Sequence, residues 1–478
     1  MNWTHTSIST FIFLMIFTIF SANANAVVRR SNGNGPWNVA STWTPPGVPS
    51  STDDVVIENG HKVTTGSSQK TVNSLTVRSG STLEGATPGD GVNIKAWGDI
   101  NNQGTIKTQD VSGSSGASGS ITLDGDDVHN TGTIKTGNAD SAGFEGAHGG
   151  HSGEISISTP TSGTVTNTGT LETGKAGDGK DSDSSGTNGG DGGQSGGVSI
   201  KTGSSGNVRN TGTVKTGDGG KAGNAGNNGE NGGNAGASGS ITIDSTDIYN
   251  NKPGSMVTGK GQKGGDASGS GKKGGNGSSS GSISASGPQA GTKDKARKID
   301  KSGGKTETGT YGEYGVGGPN GPNGARGKRG SINFQARVEL IMGPESIIIG
   351  GFCILDGGSG QIILNNLDPD AITCFEEGVM IISDGGTIDL QGNAPGIPII
   401  ASPIWDPIED PEGEIVFEVE SPSDILLDPG VMLDDIVFPA PPIVTADDQE
   451  IPTLGEWGML IMMGSLMSLG VRLRRRTS

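Results

Sequence analysis

The chain of 478 residues has few of the side chains that fill a globular core. Apolar residues make up 30 % of it and aromatic residues only 4 %, well below the apolar share of ordinary soluble domains. This composition excludes two or three ordinary enzyme-sized domains, because their cores need many large apolar side chains. With 23 residues, Pro is also too rare for a collagen triple helix over most of the length. Gly, in contrast, occurs 88 times, which favours either a thin-cored repetitive fold or disorder.

The net charge of −18 is unevenly distributed along the chain. Residues 331–450 contain 23 acidic side chains and one basic one, Arg337, whereas residues 259–330 contain 13 basic and 5 acidic side chains. These blocks are interpreted either as solvated surfaces, or as partners for contact within or between molecules, or, in the acidic block, as a cation-binding region. Because the basic residues are scattered among Gly without aromatic neighbours, nucleic acid is not an expected partner.

Residues 1–26 have the pattern of a secretory signal peptide. The run Phe11–Phe20 is apolar but too short for an ordinary membrane span, and Ala24 and Ala26 provide the small residues of a cleavage site. Export would bring Cys353 and Cys374 into an oxidising compartment, where one disulfide can form. Two small core residues are the alternative interpretation of these cysteines.

A short phrase recurs through the middle of the chain and predicts stacked β-strands. An Asn followed two residues later by Gly marks each copy, at Asn102, Asn130, Asn167 and Asn210, with Gly104, Gly132, Gly169 and Gly212. The phrases around them alternate apolar and polar residues, and one unit offers about four inward side chains, for example Ile121, Leu123, Val128 and Ile134. So few residues close a core only when units stack, which predicts an all-β fold, a right-handed parallel β-helix or solenoid.

The recurring Asn and Gly residues are expected to have structural roles. In a solenoid, equivalent residues lie about 4.8 Å apart, so the four Asn side chains would form an amide ladder at one corner. The Gly two residues later would permit the left-handed backbone that such a corner needs.

Gly-rich inserts separate the repeated phrases, and within them Gly falls at every third residue. The longest runs are Gly217–Gly232 and Gly312–Gly330. A period of three matches the polyproline II helix, so the inserts are predicted to be packed hairpins of the polyglycine II type that project from one side of the solenoid. Flexible loops are the alternative, because long Gly/Ser segments are commonly flexible.

Trp37 and Trp43 precede the strand-like runs Asp54–Ile57 and Gly60–Val63, and this pattern resembles the N-terminal coils of bacterial surface β-helix proteins. Trp37 and Trp43 are predicted to cover the open end of the first coil, with stacking on a sugar as the alternative role. After residue 330 short apolar runs return and predict further coils, and the Pro- and Asp/Glu-rich segment 402–450 is predicted to be an extended stalk.

A search for catalytic, metal-binding and cofactor-binding constellations yields only weak candidates. His148 and His151 lie three residues apart with Glu145 nearby, and the Gly/Asp phrases around Asp191 and Asp218 are similar to calcium-binding repeats without keeping their register. We therefore expect no catalytic residue, metal or cofactor, and a structural, adhesin-like role with exopolysaccharide or further copies of the chain as candidate partners. The alternative is a polysaccharide lyase or hydrolase with carboxylates on one coil face.

The last 28 residues combine an extended motif, an apolar run and a basic end. Ile451, Pro452, Thr453 and Leu454 are followed by Trp457 and Gly458, by the apolar run Met459–Val471, and by Arg472, Arg474, Arg475 and Arg476. The run predicts a short transmembrane helix, with Trp457 at the membrane interface and the Arg cluster on the cytoplasmic side. A plain C-terminal anchor is the alternative to a processed one.

This tail closely resembles the IPTL-CTERM sorting domain, which pairs an Ile-Pro-Thr-Leu-x-x-Trp-Gly motif with a membrane helix and an Arg-rich end. Ile451, Pro452, Thr453, Leu454, Trp457 and Gly458 match the motif, and Gly455 stands where Ser is common. The resemblance covers about 28 residues and implies recognition by an exosortase-type membrane protease, with transient inner-membrane anchoring before arrival at the cell surface or outside the cell.

The expected organisation therefore has six parts. They are a signal peptide (1–26), an N-terminal cap with the first coils (27–110), repeat coils with Gly inserts (111–330), C-terminal coils (331–401), the acidic stalk (402–450) and the sorting signal (451–478).

Overall fold

The computed structural model describes residues 27–383 with several gaps, together with three later strands. The gaps are 114–115, 184–185, 227–229, 288–295, 344, 357–360 and 365–371, and the later strands cover 387–389, 415–419 and 425–426. The predicted signal peptide with Ala24 and Ala26, and the whole of segment 451–478, lie outside the described residues. Within the described part of the chain, none of the helices is long and apolar enough to span a membrane.

Nearly all the regular secondary structure in the described residues is β-strand. In chain order these are β1 (Val28–Ser31), β2 (Gly35–Pro36), β3 (Trp43–Thr44), β4 (Asp54–Ile57), β5 (Lys62–Thr65), β6 (Lys70–Val72), β7 (Ser74–Val77), β8 (Thr82–Gly85), β9 (Val92–Ala96), β10 (Ile100–Asn102), β11 (Thr105–Lys107), β12 (Ile121–Asp124), β13 (Val128–Asn130), β14 (Thr133–Lys135), β15 (Ile155–Thr159), β16 (Thr164–Asn167), β17 (Thr170–Glu172), β18 (Val198–Thr202), β19 (Asn207–Asn210), β20 (Thr213–Lys215), β21 (Ile241–Asp244), β22 (Asp247–Asn250), β23 (Ser255–Val257), β24 (Ile283–Ser286), β25 (Ala296–Ser302), β26 (Lys305–Glu307), β27 (Ile332–Gly343), β28 (Ile347–Asp356), β29 (Gln361–Leu364), β30 (Ile372–Ser383), β31 (Thr387–Asp389), β32 (Ile415–Val419) and β33 (Ile425–Leu426). One short 3₁₀ helix, Ala40–Thr42, precedes β3.

Through the repeat region each strand pairs in parallel with the strand three positions later. β10 pairs with β13 and β13 with β16, β11 pairs with β14 and β14 with β17, and β12 pairs with β15 and β15 with β18. Three columns of parallel strands follow from this pattern, so each turn of the chain contributes one strand to each column. The repeated phrases therefore stack as the coils of a solenoid, and the right-handed winding stays an expectation from the general rule for parallel crossovers.

The core is a thin stack of aliphatic side chains inside the three columns. Ile121, Leu123, Val128 and Ile134, the four residues predicted to point inward, are all buried. Register keeps like beside like, since Ile134 lies between Ile106 and Leu171 in the column of β14. Apolar and polar residues alternate along the strands, so the few apolar side chains of the strands point mainly into the core of the solenoid.

Two buried tryptophans pack against each other in the first coil. Trp37 and Trp43 are 2 % and 0 % exposed, their rings meet edge to face with centroids 5.1 Å apart, and Trp43 Nε1 donates a hydrogen bond to the Trp37 carbonyl oxygen at 2.8 Å. The rings belong to the core of the first coil, as expected of a cap. The alternative of stacking on a sugar is wrong, because neither ring face is accessible.

The C-terminal coils are joined by a disulfide and pair with two later strands. A disulfide joins Cys353 on β28 to Cys374 on β30 across neighbouring coils, with Cα atoms 6.1 Å apart. β32 and β33 pair in parallel with β30 and β31, although both lie in the segment predicted to be a stalk. The apolar alternation of Ile415–Val419 is typical of a strand, and the boundary at residue 401 stays a prediction.

Candidate functional site

All six Gly-rich inserts leave the solenoid at the same corner, between its second and third strand columns. They are numbered here insert 1 (108–120), insert 2 (136–154), insert 3 (173–197), insert 4 (216–240), insert 5 (258–282) and insert 6 (308–331). Each runs out as one arm and returns as a second. Because successive coils stack, successive inserts stack as well, and together they are called the glycine bundle.

Backbone hydrogen bonds connect each insert to the next at every third residue. In insert 3 the N–H groups of Ala176, Gly179 and Ser182 donate to carbonyl oxygens of insert 4 at 2.8–3.1 Å. Gly219 and Ala225 of insert 4 repeat the pattern toward insert 5. A three-residue repeat of lateral hydrogen bonds is the arrangement expected of packed polyproline II-type helices.

A second set of hydrogen bonds links outgoing and returning arms through Gly. Gly193 donates to Gly177, Gly220 to Gly193, and Gly236 to Gly220, each at 2.9 Å. A Cβ at Gly193 would lie 1.9 Å from the Gly150 carbonyl oxygen, and a Cβ at Gly236 would lie 1.6 Å from that of Gly193. Only Gly fits these positions, and the hydrogen-bonded arms of the described inserts have the packing predicted for hairpins of the polyglycine II type.

Exposed polar side chains satisfy the remaining N–H of many triplets. Asp178 Oδ1 accepts from Lys221 N at 2.7 Å, and Asp191 Oδ1 accepts from Asn234 N at 2.6 Å. In the triplet Gly264–Asp266 all three N–H groups have partners: Glu313 O, Gly233 O and Asn224 Oδ1. This complete pairing explains why Asn and Asp so often accompany Gly in the inserts.

The same pairing accounts for the residues that suggested a metal site. The Nδ1 atoms of His148 and His151 accept the N–H groups of Asp191 and Gln194 at 2.9 and 2.8 Å, and Asp218 Oδ1 accepts from Lys260 N at 2.8 Å. Within the described ranges no three His, Cys, Asp or Glu side chains are grouped so as to hold a metal ion. These side chains act as structural acceptors in the bundle.

The recurring Asn residues form a continuous column of amides inside the solenoid. Nδ2 of each donates to Oδ1 of the next at 2.7 Å, from Asn102 through Asn130, Asn167 and Asn210 to Asn250. Lys301 follows Asp300, the partner of Tyr249, and so occupies the next place in this column. Its ammonium is fully buried and donates to the Gly304 carbonyl oxygen, and burial lowers the pKa of Lys301 to about 7.

The Gly residues that follow this column have a different role from the one predicted. None of Gly104, Gly132, Gly169 and Gly212 has a positive φ, so the left-handed corner expected there was wrong. A Cβ at Gly132 would instead lie 2.1 Å from the Gly104 carbonyl oxygen, and Gly169 and Gly212 repeat this approach. Close stacking of backbones at successive corners is what requires Gly.

Two columns of hydroxyl groups, which the repeat pattern alone did not predict, hold the base of inserts 1 to 5. Thr136 Oγ1 donates to the Gly153 carbonyl oxygen and accepts from Gly174 N, both at 2.9 Å. Ser152 Oγ donates to Gly174 O at 2.7 Å and accepts from Gly196 N at 2.9 Å. The signal was present in the Thr that closes each repeated phrase.

A regular row of hydroxyl side chains runs along the outside of the third strand column. In-register pairing aligns the members of this hydroxyl row, which are Thr122, Ser156, Ser199, Thr242 and Ser284. Ser199 and Thr242 are exposed and the others half-buried. Since neighbouring strands are about 4.8 Å apart, the row offers uncharged hydrogen-bonding groups at a constant interval.

Comparison with known proteins identifies only the C-terminal end of the chain. Residues 451–476 match the IPTL-CTERM motif. The match includes the predicted motif residues and all four Arg of the basic cluster, and it lies outside the described residues. The motif marks a C-terminal sorting signal of an exported protein. Neither the curated proteins nor the solved structures contain a match to the chain.

Proposed function

We propose that this chain, which carries the IPTL-CTERM sorting motif, is a non-enzymatic, adhesin-like structural protein of the cell surface or extracellular matrix. An exosortase-type membrane protease processes it after transient anchoring in the inner membrane. The solenoid and glycine bundle then provide a rigid, polar body. The hydroxyl row is the observation that carries the proposal, because it is a long periodic surface and exopolysaccharide is a periodic ligand.

We expect the carboxyl groups whose pKa is shifted to stay ionised rather than to act as acid catalysts. A glycoside hydrolase needs one carboxylic acid whose pKa is raised. In the described residues every carboxyl group with a resolved shift, namely Asp53, Glu84, Asp90 and Asp266, has a lowered pKa. For Glu84, burial acts to raise the pKa, but hydrogen bonds and charges from Lys62 and Lys107 lower it, so this carboxylate stays ionised.

Binding of exopolysaccharide tests the adhesin-like role. The exported protein is incubated with immobilised exopolysaccharide of the producing cells, beside a variant with Ser199→Glu and Thr242→Glu. We expect the variant to lose at least tenfold in retention, because two carboxylates interrupt the hydroxyl row. Thr166→Glu on the neighbouring strand column is the matched control and should bind like the wild type. Equal retention by all three proteins would refute the assignment of this surface.

The enzymatic alternative requires a separate assay. Incubation of the same protein with exopolysaccharide should release neither reducing sugar nor unsaturated product. Turnover that disappears on replacement of a single Asp would establish a polysaccharide lyase or hydrolase instead.

Cell fractionation tests the sorting step. Replacement of Pro452 and Trp457 by Ala removes two residues of the motif and should retain the chain in the inner membrane, while the wild type reaches the surface or the medium. Release of the variant at the wild-type level would show that the motif does not direct sorting.

A further inference from the structure

From insert 2 onward, the glycine bundle uses only small residues where one insert faces the following one, whereas in insert 1 the N–H of Val111 donates to Asn138 O at 2.9 Å. In inserts 2 to 5, the arm residues whose N–H donates to the next insert are all Gly, Ala or Ser. They are Ala139, Ala142, Gly146, Gly149, Ser152, Ala176, Gly179, Ser182, Gly189, Gly192, Ser195, Gly219, Ala222, Ala225, Gly232, Ala235, Gly261, Gly264, Ala267, Gly271, Gly274, Gly277 and Ser280.

Insert 6 breaks this rule at the equivalent positions. In the earlier inserts, the residue directly after an acceptor is the one that donates to the following insert. Gly261 and Gly264 of insert 5 donate to the carbonyl oxygens of Thr310 and Glu313. The residues directly after such acceptors are therefore the donor places of insert 6. Large side chains stand at four of the seven such places in insert 6. The seven residues are Tyr311, Tyr314, Gly317, Asn320, Asn323, Arg326 and Arg329.

Several of these side chains lie across the outer edge of the bundle and hold one another there. The Arg326 guanidinium lies 5.3 Å from the centre of the Tyr311 ring, and its Nε is 3.2 Å from Glu313 Oε2. Arg329 donates from Nη2 to the Thr308 carbonyl oxygen at 2.8 Å. Tyr311 and Tyr314 are half-buried and, three residues apart, lie on one side of a helix with three residues per turn.

No insert follows insert 6 in the described coils. β28 continues from its pairing with β26 to its pairing with β27, where the earlier coils leave the solenoid. Among the described residues, insert 6 is therefore the outer edge of the bundle. Gly317 N donates to Asn323 Oδ1 within insert 6, and the other donor places are equivalent to residues that donate to the following insert in inserts 2 to 5. Edges that present regular rows of backbone donors are sites for pairing with another chain unless they are covered.

We propose that Tyr311, Tyr314, Arg326 and Arg329 form a cap that stops a second copy of this chain from adding a glycine-rich insert to the bundle. The reason is steric. A Cβ at Gly274 or Gly277 of insert 5 would lie 2.0 or 2.1 Å from a carbonyl oxygen of insert 6, so inserts approach too closely for large side chains. A tyrosyl or arginyl side chain at the edge keeps a further insert beyond hydrogen-bonding distance. This inference rests on the bundle alone and does not depend on the proposed function.

Sedimentation velocity of the exported protein tests the cap. The opened variant carries Tyr311→Ala, Tyr314→Ala, Arg326→Ala and Arg329→Ser, residue types found at equivalent inner positions. We expect it to form concentration-dependent species of at least twice the wild-type mass. Arg209→Ala with Tyr249→Ala is the matched control, because it removes another Arg–Tyr pair, 4.5 Å apart on a strand face, and should keep the wild-type mass.

Two further measurements make the result decisive. Hydrogen exchange shows whether insert 6 remains folded in the opened variant; if it frays, insert 5 with its small residues becomes the edge, and association is still expected. A variant with Tyr311→Lys and Tyr314→Lys keeps large side chains at the edge and should not associate. An opened variant with the wild-type mass, or association of the Lys variant, would overturn the proposal.

Discussion

The solenoid and the glycine bundle are built from the same turns of chain but are held together differently. The strands of the solenoid bury aliphatic side chains, such as Ile134 between Ile106 and Leu171, and the hydrophobic effect stabilises them. The bundle has almost no apolar side chains, and its arms are joined by backbone hydrogen bonds such as Gly220 to Gly193. Truncation of a core side chain in the solenoid therefore leaves a cavity, whereas a side chain added to Gly in the bundle has no space.

Each region therefore keeps the other in place. The stacked strands set the spacing at which the inserts meet, and this offsets part of the conformational entropy that Gly loses on ordering. Thr136 and Ser152 close the base of the inserts, directly beside the strands, through their hydrogen bonds to the carbonyl oxygens of Gly153 and Gly174. An isolated Gly-rich segment has no such template, which is why similar compositions are usually flexible.

Removal of a core side chain should have the largest effect. Ile157 is buried between neighbouring coils, and Ile157→Ala should lower the free energy of unfolding by about 2–5 kcal/mol through lost burial and the cavity left behind. Urea denaturation followed by circular dichroism measures the change. Ser156→Ala, on the outer side of the same strand, should change stability by less than about 0.5 kcal/mol.

The buried ammonium of Lys301 should make the solenoid sensitive to pH. Its pKa falls from the ordinary value to about 7 in the folded chain, so between about pH 10 and pH 7 the unfolded chain binds a proton that the folded chain does not. Stability should therefore decrease as the pH falls through this window and change little below it.

Lys301→Met tests this pH dependence. The variant should lose the pH dependence and gain about 2–4 kcal/mol at pH 7, measured by denaturation at several pH values. Lys305→Met, at a more exposed site, should leave the dependence unchanged. A pH profile of Lys301→Met identical to that of the wild type would contradict the assignment.

A methyl group added to the bundle should destabilise it although nothing is removed. Gly193→Ala places a Cβ 1.9 Å from the Gly150 carbonyl oxygen, and the forced separation of the arms should cost about 1–3 kcal/mol. Amide exchange should accelerate in inserts 2 to 4 while the strands stay protected. Ala222→Gly is the control and should cost less than about 1 kcal/mol. Equal protection in wild type and Gly193→Ala would mean that the arms are not in contact.

Interruption of the amide column should have the smallest of these effects. Asn167→Ala removes the partner of Asn130 Nδ2 and of Asn210 Oδ1, and unpaired buried amides should cost about 1–2 kcal/mol. Thermal unfolding measures this loss. Asn207→Ala, at the half-buried start of β19, should have little effect, and a column variant as stable as this control would show that the ladder is dispensable.

The sequence predicted the repeating parts of this molecule better than the contacts between them. Strand alternation placed Ile121 and Val128 in the core, and the recurrence of Asn130 and Asn167 predicted an amide column, because stacking maps equal positions onto each other. The predicted role of Gly132 was wrong. A repeat shows that Gly recurs at a position, but it does not show whether Gly is needed for a left-handed backbone conformation or for the close approach of a neighbouring backbone. Lys301 in the amide column and the hydroxyl of Thr136 at an insert base depend on contacts between coils, which one sequence does not display.

Hydrogen exchange of insert 4 tests the central claim most directly. If the glycine bundle is ordered, the amides of Ala222, Gly223 and Gly236, each hydrogen-bonded to another arm, should exchange about as slowly as the core amides of β21. Uniformly fast exchange throughout residues 217–239, beside protected strands, would contradict the account and leave the inserts as flexible loops on a β-solenoid.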